Sequence, residues 1–273
     1  MPTDPLAVPI HAFTWVGSES MHLDDPAITA CRQVVIGRYG GNVRAGANKN
    51  EDGALVYSAA DGSWEFAMII DAHLTTESAE LLLYSIDSER RNIVGILAGP
   101  VETAFTQLEH HLLSIFRSVW FREQCKRVKG EASLMFCARK GDYLWWLSIG
   151  DCVTYVLDPQ LAGMGQFALN QRNFYEWIGH INSFDQPVPT YTRGVTNLSG
   201  NSLVLMVTDG LLEFGNRPYE NPMYLYRAFL PAFDGQRETL LLAVENALLD
   251  VHRGAGRDSA TIIAWNFSLA DML

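Results

Sequence analysis

Three apolar runs, at residues 132–138, 143–149 and 153–157, follow one another with only Lys140-Gly141-Asp142 and Gly150-Asp151 as connections. Runs of this length suit strands. Parallel strands need a crossover of about a dozen residues or more, so turns this short predict antiparallel neighbours. Further strand-like runs lie at 33–37, 54–58, 66–70, 203–208 and 261–267, with one more at 11–16; Gly40-Gly41 and Asp61-Gly62 supply turns. Two long helical patterns stand between the early and late strands. One starts at Thr75 or Thr76 and stops at Gly99-Pro100; the other spans 101–128 and closes at Gly130. A last helix is predicted over 237–252. Strands, two helices, many strands, a helix and a strand make an α+β layered domain, not a βαβ array.

Two segments fall outside this pattern. Residues 1–30 form an N-terminal extension whose role stays open between an edge strand, a partner contact and a disordered arm. Residues 158–201 are rich in Gly, Pro and Asn with scattered aromatics, and are expected to form a long loop or flap over the body. Residues 31–273 make up the main domain.

Composition removes several classes of function. There are 31 acidic against 20 basic residues, a net charge of −11, whereas broad binding to a nucleic-acid backbone needs clustered cations. No apolar run approaches the roughly 18 residues of a membrane helix. The start Met-Pro-Thr-Asp-Pro lacks a basic and apolar leader, so a cytoplasmic location is expected. Cys31, Cys125, Cys137 and Cys152 have no zinc spacing and are expected to be reduced; Cys137 and Cys152, in apolar strand-like runs, are read as buried small hydrophobes.

Aspartates are the distinctive feature. Asp71 ends the run Ala67-Met68-Ile69-Ile70, Asp209 ends Val204-Leu205-Met206-Val207-Thr208, and Asp258 precedes Ala260-Thr261-Ile262-Ile263; Glu51-Asp52 sits in the turn Lys49-Asn50-Glu51-Asp52-Gly53. Asp-Gly is ordinary turn chemistry, but an acid at the end of a buried strand is held rigidly at a sheet edge. If these acids converge, each pair repels by roughly 4 kcal/mol at about 4 Å and moderate dielectric. A cation is then required, and carboxylates without Cys or paired His favour Mg²⁺ or Mn²⁺. His110-His111 point about 100° apart on a helix and cannot chelate one ion together.

The ordered set Asn50-Glu51-Asp52, Asp71-Ala72-His73, Gly150-Asp151, Thr208-Asp209-Gly210-Leu211 and Asp258-Ser259-Ala260-Thr261 resembles the metal-dependent type 2C (PPM) serine/threonine protein phosphatases, in the bacterial single-domain form. The resemblance implies a four-layer α-β-β-α sandwich of two antiparallel sheets flanked by helices, with a binuclear Mn²⁺ or Mg²⁺ centre and a third ion as an option. It implies that Asp52, Asp71, Asp209 and Asp258 bind metal through carboxylates and Ala72, in place of the family's glycine, through its carbonyl. Glu51, Asp151 and Glu213 fall to an outer shell or the third metal, and His73 to the general acid. The family's phosphate-binding arginine position is Ala47 here, which leaves Arg44 or Lys49 to reach the phosphate; Arg44 is favoured for its bidentate fork.

The implied activity is hydrolysis of phosphoserine and phosphothreonine monoesters in proteins by a metal-activated water. The implied partner is a phosphorylated protein, opposing a serine/threonine kinase, with the enzyme acting as a monomer. The alternative is a phosphatase-like module that binds a partner with weak or no catalysis, suggested by Ala47, Ala72 and Ser259. A glycoside hydrolase using two of the acids is a more remote rival.

Overall fold

The computed structural model describes residues 9–198 and 200–268; residues 1–8 of the N-terminal extension, and the C-terminal five of the main domain, lie outside them. The described strands are β1 (Ile10–Val16), β2 (Ala27–Cys31), β3 (Val34–Tyr39), β4 (Gly53–Ala59), β5 (Trp64–Ala72), β6 (Glu131–Lys140), β7 (Tyr143–Ile149), β8 (Val153–Leu157), β9 (Ile178–Gly179), β10 (Thr192–Asn197), β11 (Asn201–Val207) and β12 (Ala260–Ser268). The helices are α1 (Glu77–Ser88), α2 (Arg90–Ala98), α3 (Val101–Arg117), α4 (Val119–Cys125), α5 (Pro159–Gly163), α6 (Pro222–Phe229) and α7 (Arg237–Arg253). One sheet runs β1-β4-β5-β6-β7-β10, with β9 beside β6; the other runs β2-β3-β12-β11-β8. Every pairing is antiparallel.

Side-chain alternation explains how a strand such as β5 stays apolar throughout. Phe66, Met68 and Ile70 face α1–α4, packing with Leu82, Ile86, Leu108 and Phe116. Ala67 and Ile69 face the other sheet, packing with Val56, Met135, Met206, Ile263 and Trp265. On the far side, Val35, Leu205 and Ile262 meet Leu240, Val244 and Leu248 of α7. With both faces buried, period-2 alternation places an apolar residue at every position. The result is the expected α-β-β-α sandwich of two antiparallel sheets.

Three sequence expectations need adjustment. The turn Gly150-Asp151 does not join neighbours: β7 lies in the first sheet and β8 in the second, so the chain turns a corner between layers. Gly150 permits it, with φ +97°, at a point where a Cβ would stand 2.3 Å from Cβ of Ser133. Each long helical pattern is also broken in two. Ser118 leaves the helical region (ψ 143°) and its Oγ accepts from the amide of Phe121, so it starts α4 as an N-cap. Glu89, in neither helix, separates α1 from α2. Finally, the segment 158–201 is not a free loop, because β9 and β10 dock on β6 and β7 and Phe167 and Phe184 are buried. Residues 10–31 supply β1 and β2, an edge strand for each sheet.

Candidate active site

The acids come together where the two sheets open at one end. The β4–β5 pairing of Gly53 with Ile70, carried one residue further, sets Asp52 opposite Asp71. Asp52 is buried, and its Oδ2 accepts from Oγ1 of Thr208 at 3.0 Å and from Oγ1 of Thr261 at 2.7 Å. Thr261 lies in β12 of the opposite sheet and Thr208 directly follows β11 of that sheet, so this carboxylate ties the layers together. Asp209 follows Thr208 directly, and Asp258 stands just before β12, its Oδ1 accepting from the amide of Ser259. Asp151 projects from the corner between β7 and β8 and is 2% exposed. Oδ2 of Asp71 and Oδ1 of Asp151 are buried with no hydrogen-bond partner among the described residues.

The electrostatics record how crowded this point is. Burial, and then Asp209, Asp52, Asp151 and Asp258, hold the Asp71 carboxyl well above the usual carboxylate range. Burial is also the largest influence raising Asp52; the two threonine hydrogen bonds oppose it, while Asp258 and Asp209 add to it. Asp209 is pushed up to about 6 by burial, then by Asp258 and Asp151, with Arg172 pulling the other way. Four aspartates from four other places in the sequence therefore act on the one carboxyl of Asp71.

Arg172 was not foreseen. It reaches in from the 158–201 segment: Nη2 donates to Oδ2 of Asp151 and Oδ2 of Asp209 at 3.2 Å each, and Nη1 pairs with Oε1 of Glu213 at 2.7 Å. Its guanidinium also lies 4.9 Å from the Phe174 ring centre. The next residues fix the segment to the corner. The amide of Asn173 donates to the carbonyl of Gly150 at 3.0 Å, and buried Glu176 accepts from the amide of Gly150 at 3.2 Å. A single Arg in a polar loop gives no sequence signal of such a position. Thr208 and Thr261 were visible inside the motifs, but not as donors to Asp52.

The remaining candidates divide. Ala72 ends β5 in extended backbone, where its Cβ causes no strain. His73 Nδ1 lies 3.9 Å from Oδ1 of Asp71, and its ring meets Trp177 edge-on at 5.1 Å. The next residue, Leu74, is exposed at φ +78°, an uncommon conformation for a branched side chain. A cleft of about 390 Å³ is lined by Lys49, Glu51, Asp71, Ala72, His73 and Asp258, and also by Arg257. Arg44 is exposed and does not line this cleft. Lys49 pairs with Glu51 at 2.7 Å and donates to the carbonyl of Leu74. The Arg257 side chain makes no hydrogen bond or ion pair among the described residues, and its place beside Asp258 was the overlooked clue. No three Asp, Glu, His or Cys side chains among the described residues are drawn close enough to hold an ion as they stand.

No family model and no curated protein matches the sequence. Solved structures do match. A bacterial serine phosphatase shares 13% identity, with 86% of this chain and 97% of that one covered at a TM-score of 0.63. The Mycobacterium tuberculosis serine/threonine phosphatase PstP/Ppp shares 14%, covering 86% and 98% at 0.57. The catalytic domain of PstP in complex with two manganese ions shares 12%, covering 95% and 100% at 0.56. The chain thus has the fold of the type 2C serine/threonine phosphatases.

Proposed function

We propose that this chain is a metal-dependent phosphatase that hydrolyses phosphoserine and phosphothreonine monoesters in proteins. The observation that carries this reading is the convergence of Asp52, Asp71, Asp151, Asp209 and Asp258: burial and the neighbouring acids raise the proton affinity of Asp52, Asp71 and Asp209, and Asp71 and Asp258 line a cleft. Such a cluster is stable at neutral pH only with protons or cations. The donors are all hard oxygens, and the buried Oδ2 of Asp71 has no other partner, so the residues fit Mn²⁺ or Mg²⁺. Asp52, Asp71, Asp209, Asp258 and the Ala72 carbonyl would hold two ions, with Glu51 outside them. Bound there, the ions would supply a nucleophilic water at neutral pH and charge to offset that of the phosphoryl group.

The chain's own residues do the rest. His73, with Nδ1 turned toward Asp71, leaves Nε2 to hand a proton to the departing serine or threonine oxygen. Arg257 and Lys49 line the cleft and are better placed than Arg44 to hold phosphate oxygens; Arg257 provides the bidentate fork. Leu74 lines the cleft, where the rest of a phosphoprotein would lie, and the 158–201 segment reaches the site through Arg172 and through Trp177 against His73. The substrate would be the product of a serine/threonine kinase, and the enzyme would act as a monomer.

The test is turnover of p-nitrophenyl phosphate and a phosphothreonine peptide with Mn²⁺, with Mg²⁺ and with EDTA, alongside Asp209→Asn. Turnover that needs the ion and falls at least about a hundredfold in the variant is expected. Tight Mn²⁺ binding without turnover in folded protein would replace this reading with that of a partner-binding module.

A further inference from the structure

The third cation that the type 2C resemblance allows does not fit this centre, because Arg172 already stands there. Its guanidinium joins carboxylates from three separate places: Asp151 at the corner between sheets, Asp209 after β11, and Glu213 four residues on. Two of these, Asp151 and Glu213, are the residues the resemblance gives to the third ion. We propose that Arg172 is a permanent, protein-borne third cation, so that the centre takes up two divalent ions and not three. This deepens the two-metal phosphatase reading and rests on it.

The chemistry favours the side chain over a free ion. A guanidinium keeps its charge at all working pH values and spreads its donors in a plane, which suits several carboxylates at once. It is also tethered. The bonds of Asn173 and Glu176 to Gly150 fix the residues beside it at the same corner, so its local concentration far exceeds that of a dissolved metal. The side chain is 18% exposed, which leaves little room for an ion to enter beside it. Without Arg172, Asp151, Asp209 and Glu213 would face one another around an empty position. Asp151 would bring a second carboxylate oxygen, Oδ1, that already lacks a partner. That is a hard-oxygen donor set of the kind a divalent ion takes.

The experiment counts ions on the full chain by equilibrium dialysis against Mn²⁺ followed by metal analysis. Two ions on the wild type and three on Arg172→Ala are expected, with the third lost again when Asp151→Asn is added. In EDTA, Arg172→Ala should melt below the wild type, and Mn²⁺ should restore more of its stability than it adds to the wild type. Arg172→Gln, which keeps the length and loses the charge, serves if the alanine variant does not fold. Three ions on the wild type would overturn the proposal and leave the phosphatase reading intact, as would two on a natively folded Arg172→Ala. No ion on the wild type would overturn both.

Discussion

At the scale of single residues, the acidic cluster depends on side chains that are not part of it. Thr261 gives Asp52 its shorter hydrogen bond, at 2.7 Å, and Thr208 shares the load. Thr261→Val keeps the shape and removes the donor, so Asp52 can turn within its buried position. A fall of about 10–100-fold in Mn²⁺ affinity is expected, as for other groups that orient a ligand from behind; a metal titration of the variant checks it, and unchanged affinity would refute the role. The acids themselves were legible in the sequence, because an aspartate that ends an apolar run has few places to go except a sheet edge. Arg172 was not, and Arg257 was marked only by its place beside Asp258. A cation in an irregular segment has no period, and what it pairs with is decided by parts of the chain far away in sequence.

At the scale of elements, local signals located the strands well and their connections less well. β3, β4, β5, β11, β12 and α7 lie where the apolar patterns place them. The corner after β7 was missed because turn residues show that a chain changes direction, not into which layer. Helix periodicity likewise continued across Glu89 and Ser118, since the apolar stripe carries on while the backbone breaks. Gly150 marks where this matters most. A methyl group there meets Ser133 at 2.3 Å in a backbone with φ +97°. Gly150→Ala should cost about 1–3 kcal/mol of stability from backbone strain. Urea denaturation measures it, and unchanged stability would refute the strain.

At the scale of the whole molecule, the balance of charge at one end governs how stability responds to pH. Burial and like charge raise Asp209 from 3.8 to about 6, and hold Asp52 and Asp71 high as well. A carboxyl raised in the folded state binds its proton more tightly there than in the unfolded chain. Metal-free protein therefore gains stability where these groups are protonated and loses it as pH rises through the folded-state value. In EDTA, the melting temperature should be higher near about pH 5.5 than near about pH 8. Saturating Mn²⁺ should abolish or reverse that order, because ions then replace protons. A melting temperature in EDTA that climbs steadily with pH would contradict the mutual repulsion of these acids.

Asp52 and Asp71 hang from one sheet, Asp209 and Asp258 from the other, and a shared layer of Trp15, Ile69, Met135, Met206 and Trp265 lies between them. Packed sheets stand about 10 Å apart because side chains fill the gap. That filling acts as a spacer, and its thickness sets how far the two halves of the acidic cluster stand from each other. The acidic end is thus adjusted from inside the body, and a change of volume at Trp265 or Met206 would be felt at the aspartates through the whole width of a sheet.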